Sequence, residues 1–462
     1  MIKNNDLEIA SGNIYKTFFK FSLPNMVGLM AMSSVALVDA YFVSQYVSPV
    51  AFAAVNIIMP LITIVFGIAI MFTIGAAVLV GTYLGENKIV KARAVFTKVM
   101  ITISSISLFF SVVCYFFSYD VARLLHANDE IMVYAKPYLE MVALFFLFQA
   151  LEYSLSVMIR TDGNPYLASI AVLTGALLNF ILDYIFIVKM NMGIEGAALG
   201  TGISFMVSTF MLLFHFILKK GNLKLTNKIG RWKEIFIAAY NGSSELFSEA
   251  SVAIIAYLFN KIMVESLGTY GVEAFAVINI SLWAVNMLCY AIGDSLVPLL
   301  SINYGAGHYD RIKKILTLSR ISVLFIGGLA FLLFTFIPEI IVSLLLDKKN
   351  KEAFEIALVF ADYTKYAFLF LGLNIVFSSS FTAIQKPFHS IVVAALRGLI
   401  LPVICIYFLP FILNETGLYM AISVAEFTTI ILAYYLWKNT KVIRDINTNL
   451  VNYKQVCYYE EK

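Results

Sequence analysis

The chain has 462 residues, of which 61% are hydrophobic and only 13% charged, and its formal net charge is +4. An ordinary soluble domain carries about 25% charged residues, so composition excludes the soluble globular class. Apolar stretches of roughly 20 residues or more, enough to cross a hydrocarbon core about 30 Å thick, also exclude a β-barrel, which would show short alternating segments.

The chain opens on a polar segment, residues 1–21, with no cleavage site of the signal-peptide type. The first apolar helix is therefore expected to be kept as the membrane-targeting element. Apolar runs between charge clusters predict helical spans over 15–44, 50–83, 94–118, 131–159, 167–189 and 194–218. A second set follows over 234–263, 272–300, 319–346, 361–384, 390–412 and 417–437. Helices are the expected spanning element because a bilayer offers no water to an open backbone. The expected fold class is thus an all-α integral membrane protein of twelve transmembrane helices.

Most of the 33 Lys and Arg residues fall on one side: in the N-tail, at 88–98, at Arg160, at 219–233, at 311–320, at Lys386 and in the C-tail. The alternate loops and helix ends hold Arg123, Lys136, Lys189, Lys261, Lys348, Lys349, Lys351 and Lys365. The positive-inside rule then places both termini in the cytoplasm, which requires an even number of spans. The basic segment 219–233 reads as a cytoplasmic linker with affinity for anionic headgroups. No basic domain continues it, so nucleic acid is not an expected partner. Cys114, Cys289, Cys405 and Cys457 show no pairing or metal spacing, which argues against a disulfide scaffold.

The two sets of spans repeat one another. Ala51-Phe52-Ala53 with Asn56 matches Ala274-Phe275-Ala276 with Asn279, Gly85 matches Gly305, Pro165 matches Pro387, and Gly193 with Ala197 matches Gly417 with Ala421. Six helices per repeat run both halves in the same direction, about an axis along the membrane normal. Such repeats mark transporters whose substrate site lies near the midplane. The expected division is an N-terminal lobe at 1–225 and a C-terminal lobe at 226–462.

Ionisable groups inside the apolar runs point to function, since a mid-bilayer carboxylate costs about 2.5–3.5 kcal/mol and usually faces a bundle interior or cavity. Asp39 lies late in the first span, Glu152 in the fourth and Asp183 in the fifth. Asn179, four residues before Asp183, shares its helix face. These oxygens could coordinate a small hard cation such as sodium, or Asp39 and Asp183 could share a proton. The lesser alternative is that each Asp merely ties helix ends together by hydrogen bonds. Pro24, 15 residues before Asp39, removes a helical N–H and invites a bend. In the second half, Glu245 and Glu249 stand one turn apart in the seventh span, Asp294 lies in the eighth, and Arg397 and Glu426 in the eleventh and twelfth could pair. The abundant Phe, Tyr and Met suit lipophilic cations, but Phe is equally at home facing lipid and Tyr and Trp at interfaces; no aromatic is assigned to a site.

Arg160-Thr161-Asp162-Gly163-Asn164-Pro165, the run from Asn179 to Ile187, and Gly193 with Gly196-Ala197-Ala198 and Thr201 together resemble the MATE (multidrug and toxic compound extrusion) family of antiporters, bacterial type. Pro24, Asp39, Asn241-Gly242-Ser243-Ser244-Glu245 and Tyr304-Gly305-Ala306-Gly307 extend the resemblance over almost the whole chain. It implies two pseudo-symmetric six-helix lobes forming a V-shaped cavity with alternating access. It further implies secondary active export of small organic, multidrug-like and mainly cationic compounds in exchange for H⁺ or Na⁺, with no cofactor.

The family's N-lobe ion group falls on Asp39, Asn179, Asp183 and Thr201, where Na⁺ would also bind. In one proposed mechanism its occupation bends the first helix at Pro24. A C-lobe acidic pair, used by some sodium-coupled members, would take Glu245 or Glu249 and the position of Asn374, which is neutral here. Glu152, aligned with Asn374 by the repeat, has no place in that pattern and stands, with Glu245, Glu249, Asp294 and Asn374, as a candidate cavity residue.

Expected partners are small-molecule substrates and membrane lipids, the state is monomeric, and the location is the bacterial inner membrane. A lipid-linked sugar flippase or polysaccharide exporter is the alternative, disfavoured because its cavity should be strongly basic. Direct ATP hydrolysis is unsupported because no P-loop is present, and an enzyme is disfavoured because His126, His215, His308 and His389 are dispersed, with no nucleophile–base pair or metal cluster.

Overall fold

The computed structural model describes residues 9–218, 221–346 and 350–440, and among them every regular element is helical. Lys219, Lys220, Lys348, Lys349 and the tails, including Cys457, lie outside the described residues. Six helical spans come first. They are α1 (Ile14–Tyr46), α2 (Pro49–Gly85), α3 (Ile89–Phe116), the bent pair Asp129–Ala143 and Phe146–Thr161 forming α4, α5 (Pro165–Lys189) and α6 (Gly193–Ile217). A single helical run, Lys233–Ala306, is broken at Gly268, whose φ of 65° and ψ of −156° no helix contains. At about 1.5 Å per residue its 74 residues would span several bilayers unbroken. The break divides it into α7 (233–267) and α8 (269–306). Then follow α9 (Tyr309–Phe336), the bent pair Lys351–Thr364 and Ala367–Ala383 forming α10, α11 (Pro387–Leu413) and α12 (Glu415–Asn439).

Local chemistry sets the starts. Ser48 caps α2 by accepting from Ala51 N–H at 3.0 Å ahead of Pro49, and Asn164 caps α5 by accepting from Leu167 N–H at 3.3 Å ahead of Pro165. In both, proline fills a first-turn position whose N–H has no intrahelical partner. The short helix Pro338–Leu345 is separate from α9. The ninth span predicted over 319–346 is thus shifted: the helix starts at Tyr309 and ends before Pro338. A hydropathy reading sees the apolar run. The proline, lacking an N–H and clashing with the preceding turn, decides the stop. The fourth and tenth spans each bend, by 49° and 52°, within a continuous apolar stretch.

The described residues form two compact units. One comprises Phe19–Glu249 with residues 9–11, the other Gly12–Phe18 with residues 250–440. In the first, Phe42, Val43, Ala51, Ile58, Tyr138, Leu139, Phe146 and Ile194 build one buried cluster from α1, α2, α4 and α6. The first half of α7 packs on α2 backbone to backbone: a Cβ on Gly75 would stand 1.8 Å from the Ala238 carbonyl oxygen, and one on Gly242 would stand 1.9 Å from that of Met71. Small residues are the means by which membrane helices approach so closely. The linker before α7 is held on this unit as well. Asp162 accepts from the N–H groups of Asn222 and Leu223 and faces His215 Nε2 at 3.0 Å, while buried Lys98 pairs with Glu234.

In the second unit, Ala274, Val277, Val342 and Ala357 form a smaller core, and Arg311 donates to the Gly12 carbonyl at 2.7 Å. Phe116, Phe325, Phe336 and Phe411 are all more than 70% exposed, which suits side chains facing lipid tails.

Candidate functional site

The site stands where α1, α5 and α6 meet. Asn179 and Asp183 sit one turn apart on α5, and Asp183 directly precedes a π-helical turn, Tyr184–Lys189. Such widened turns are rare and frequent at functional positions. α6 comes close to this face because it carries small residues: a Cβ on Gly200 would lie 2.5 Å from Asp183 Oδ1, and one on Gly175 of α5 would lie 2.3 Å from Ser208 Oγ of α6.

Four predicted residues converge there. The Asn179 amide donates to Asp39 Oδ1 at 3.0 Å and to Thr201 Oγ1 at 3.0 Å, and Thr201 donates its hydroxyl to Asp39 Oδ2 at 2.9 Å. Asp183 Oδ1 lies at 3.5 Å from the same amide nitrogen. An amide has two N–H groups, so Asp183 receives at most a weak third contact. Asp183 and Asn179 are fully buried, and among the described residues Asp183 Oδ2 and Asn179 Oδ1 have no hydrogen-bond partner. Buried polar oxygens left unpaired cost free energy. A bound proton or hard cation would satisfy them: the donor set is all oxygen, which suits a hard ion rather than a thiophilic one.

The other two members of the group, Asp39 and Thr201, reach a cavity of about 320 Å³. Its wall is otherwise apolar and aromatic, with Met32, Met59, Phe52, Tyr138, Phe145 and Phe205, and Asn56 and Gln149 as further polar groups. This is the volume and lining of a small-molecule site. Nothing in periodicity singled out these aromatics, since only the packing of α1, α2, α4 and α6 turns them inward.

The remaining candidates lie elsewhere. Glu152 on α4 is buried and borders two smaller cavities. Glu245 and Glu249 are half-buried on the part of α7 that packs with the first unit, Glu249 against Gly67. Asp294, also half-buried, belongs to the second unit. There Asn374 donates to the Glu426 main-chain oxygen at 2.9 Å and to its Oε2 at 2.6 Å. Arg397 Nε binds Glu426 Oε1 at 3.0 Å and the guanidinium also reaches Tyr290 and Asn286, so the pairing of Arg397 with Glu426 is present. α1 runs through Pro24 without a break in its helical assignment. Among the described residues no group of three or more His, Cys, Asp or Glu could hold a metal ion.

The sequence profile of the MatE family matches residues 24–185 and 248–414. The chain belongs to the MATE family of membrane transporters. Its fold agrees with that of an outward-facing multidrug resistance MATE transporter of the MOP superfamily, at a TM-score of 0.89 with 17% identity, covering 97% of this chain and all of the other. A Vibrio cholerae MATE transporter superimposes at a TM-score of 0.84 with 19% identity, covering 96% of this chain and all of the other. The multidrug export protein MepA of Staphylococcus haemolyticus is 23% identical over 437 residues, 92% of this chain and 93% of its own length. Its Staphylococcus aureus counterpart is 25% identical over 430 residues, 89% and 91% of the two chains. The family consists of transporters, not enzymes, and the twelve-helix architecture read from the apolar runs is the MATE fold.

Proposed function

We propose that this MATE transporter is a secondary active antiporter of the bacterial inner membrane, exporting small organic cations of the multidrug kind in exchange for H⁺ or Na⁺. One observation carries the reading: Asp39 and Thr201 belong both to the four-residue oxygen group and to the wall of the 320 Å³ cavity. The ion and the cargo therefore act on the same carboxylate. A cationic substrate in the aromatic cavity is attracted by an ionised Asp39 and by ring faces. Occupation of the group by a proton or sodium ion removes that attraction, so binding of one opposes binding of the other. The names of the MepA relatives support a multidrug cargo.

In this reading both termini are cytoplasmic, the functional unit is the monomer, lobes divide near residue 225, and Pro24 is where α1 bends when the group is occupied. The inward ion supplies the work. One charge moving down 100 mV releases about 2.3 kcal/mol. A flippase for pyrophosphate-linked sugars is disfavoured because Arg397, a basic group within the second unit, is engaged by Glu426.

The test is ethidium transport in proteoliposomes under an imposed proton or sodium gradient. Transport driven by one of the two gradients, and abolished by Asp39→Asn, is the expected result. Movement that ignores both gradients would overturn the antiport reading.

A further inference from the structure

Two small cavities lie in the first unit, apart from the 320 Å³ one. The first, about 20 Å³, is bordered by Asn179, Thr201 and Glu152, and it shares Thr201, Met32 and Phe205 with the 320 Å³ cavity. The second, about 10 Å³, is bordered by Glu152, Ser156, Arg160 and Asn25. A cavity holds a water molecule from about 10–15 Å³ upward if polar groups line it. Met32, Val172 and Glu152 form the common wall of the two small cavities, and Glu152 alone of the three is polar.

Glu152 is 3% exposed, and among the described residues no hydrogen bond or ion pair reaches its carboxylate. On α4, Glu152, Ser156 and Arg160 follow at four-residue intervals, which puts them along one helix face. Arg160 stands in the last turn of α4 and donates to Asn25 and to Ser156 Oγ. The chain of polar groups thus runs from Thr201 and Asn179, through Glu152, to the α4 terminus that the positive-inside reading places at the cytoplasm.

We propose that Glu152 is a proton-carrying residue linking the Asp39–Asn179–Asp183–Thr201 group to the cytoplasmic side, one that the family's ion group does not include. This rests on the antiport reading above and commits it to H⁺. In the step, an O–H bond at the ion group breaks, by way of a water or the Thr201 hydroxyl, and an O–H bond forms at Glu152. Glu152 then gives that proton to water beside Ser156 and Arg160 and returns to the carboxylate.

The charged groups around it are few. Arg160 lies on its own helix, and Asp39 and Asp183 lie beyond Asn179 and Thr201. His215 on α6 is engaged with Asp162, and Lys98 on α3 with Glu234. From α2, Thr73 reaches Ser154 rather than Glu152.

The experiment compares wild type, Glu152→Gln and Glu152→Asp in proteoliposomes, with ethidium as the probe and two modes of transport. Net movement driven by a pH gradient needs proton delivery. Ethidium–ethidium exchange without a gradient does not, and it also reports correct folding. Glu152→Gln is expected to slow the driven mode by about a hundredfold or more, the low end of what a lost proton-transfer group costs, while exchange stays within about threefold, and Glu152→Asp is expected to restore part of the driven rate. Equal loss of both modes in both variants would assign Glu152 to packing or cargo contact and overturn the proposal. So would an unchanged driven rate in Glu152→Gln. Wild-type transport that follows sodium and ignores pH would overturn this proposal and leave the antiport reading standing; wild-type transport that follows neither overturns both.

Discussion

Gly200→Ala tests whether the position of Asp183 matters more than its presence. The added methyl would stand 2.5 Å from Asp183 Oδ1, 3.4 Å from the Asp183 backbone nitrogen and 3.5 Å from the Leu182 Cβ. The last two distances are tolerable contacts. The first is not, so the carboxylate must turn, and the turn takes Oδ1 away from the methyl and from its present place 3.5 Å from the Asn179 amide. Because the end of one short side chain can give way, destabilisation should stay near the low end of the roughly 1–3 kcal/mol seen on overpacking.

The ion is affected more. One misplaced charged oxygen forfeits a charge-assisted contact of about 1.5–3 kcal/mol, or about 10- to 150-fold in ion affinity. The assay is the half-saturating proton or sodium concentration for ethidium export, with thermal stability in detergent measured in parallel. Gly328→Ala, whose Cβ would meet nothing within 4 Å, is the control and should leave both unchanged. An ion dependence in Gly200→Ala equal to wild type would refute the assignment of Asp183 to the coupling group.

Four further outcomes are expected. Asp39→Asn and Asp183→Asn should each abolish ethidium export from intact cells at near-normal membrane expression, checked by immunoblot of isolated membranes. Arg397→Met should destabilise the protein by about 3–5 kcal/mol by leaving Glu426 buried without its partner, and Arg397→Met with Glu426→Met should recover most of that, as read from melting in detergent. Gly75→Ala should prevent accumulation of folded protein, since its methyl would overlap the Ala238 carbonyl and force α2 and α7 apart; size-exclusion profiles check this. Asp162→Ala removes the acceptor for two linker N–H groups, and should raise proteolytic cleavage between 221 and 231 without moving the melting of the helices by more than about 3 kcal/mol.

Much of this is legible in the sequence. Span number came from apolar runs and charge clusters, and Pro165 and Pro387 do open α5 and α11, because proline at a helix start is a local matter of one missing N–H. The grouping of Asn179 with Asp183 also followed from spacing on one helix. That Asp39 and Thr201 join them did not follow from spacing, since contacts across 140 and 162 residues depend on tertiary packing; there the resemblance to a family supplied what periodicity lacks. The bends in α4 and α10 were invisible because hydropathy carries no angle. The aromatic lining of the 320 Å³ cavity was equally invisible, because an inward Phe and a lipid-facing Phe have the same hydropathy.

The internal repeat conceals a difference in charge compensation. Glu152 and Asn374 are repeat-equivalent, yet Asn374 is joined by its amide to a Glu426 that Arg397 already neutralises. Glu152 has no hydrogen bond among the described residues, and Asp183 Oδ2 has none either. Positions equivalent to Asn179 and Asp183 are Leu401 and Cys405. A carboxylate closed into an ion pair with its countercharge has little to gain from an incoming cation, because accepting one means giving up the pair at a cost of several kcal/mol. A buried carboxylate without such a partner gains by taking up a proton or a sodium ion at every turn of a cycle. On that ground we assign the Arg397–Glu426 network to the scaffold, and the proposed ion-responsive chemistry to the helices that carry Asp39, Glu152 and Asp183.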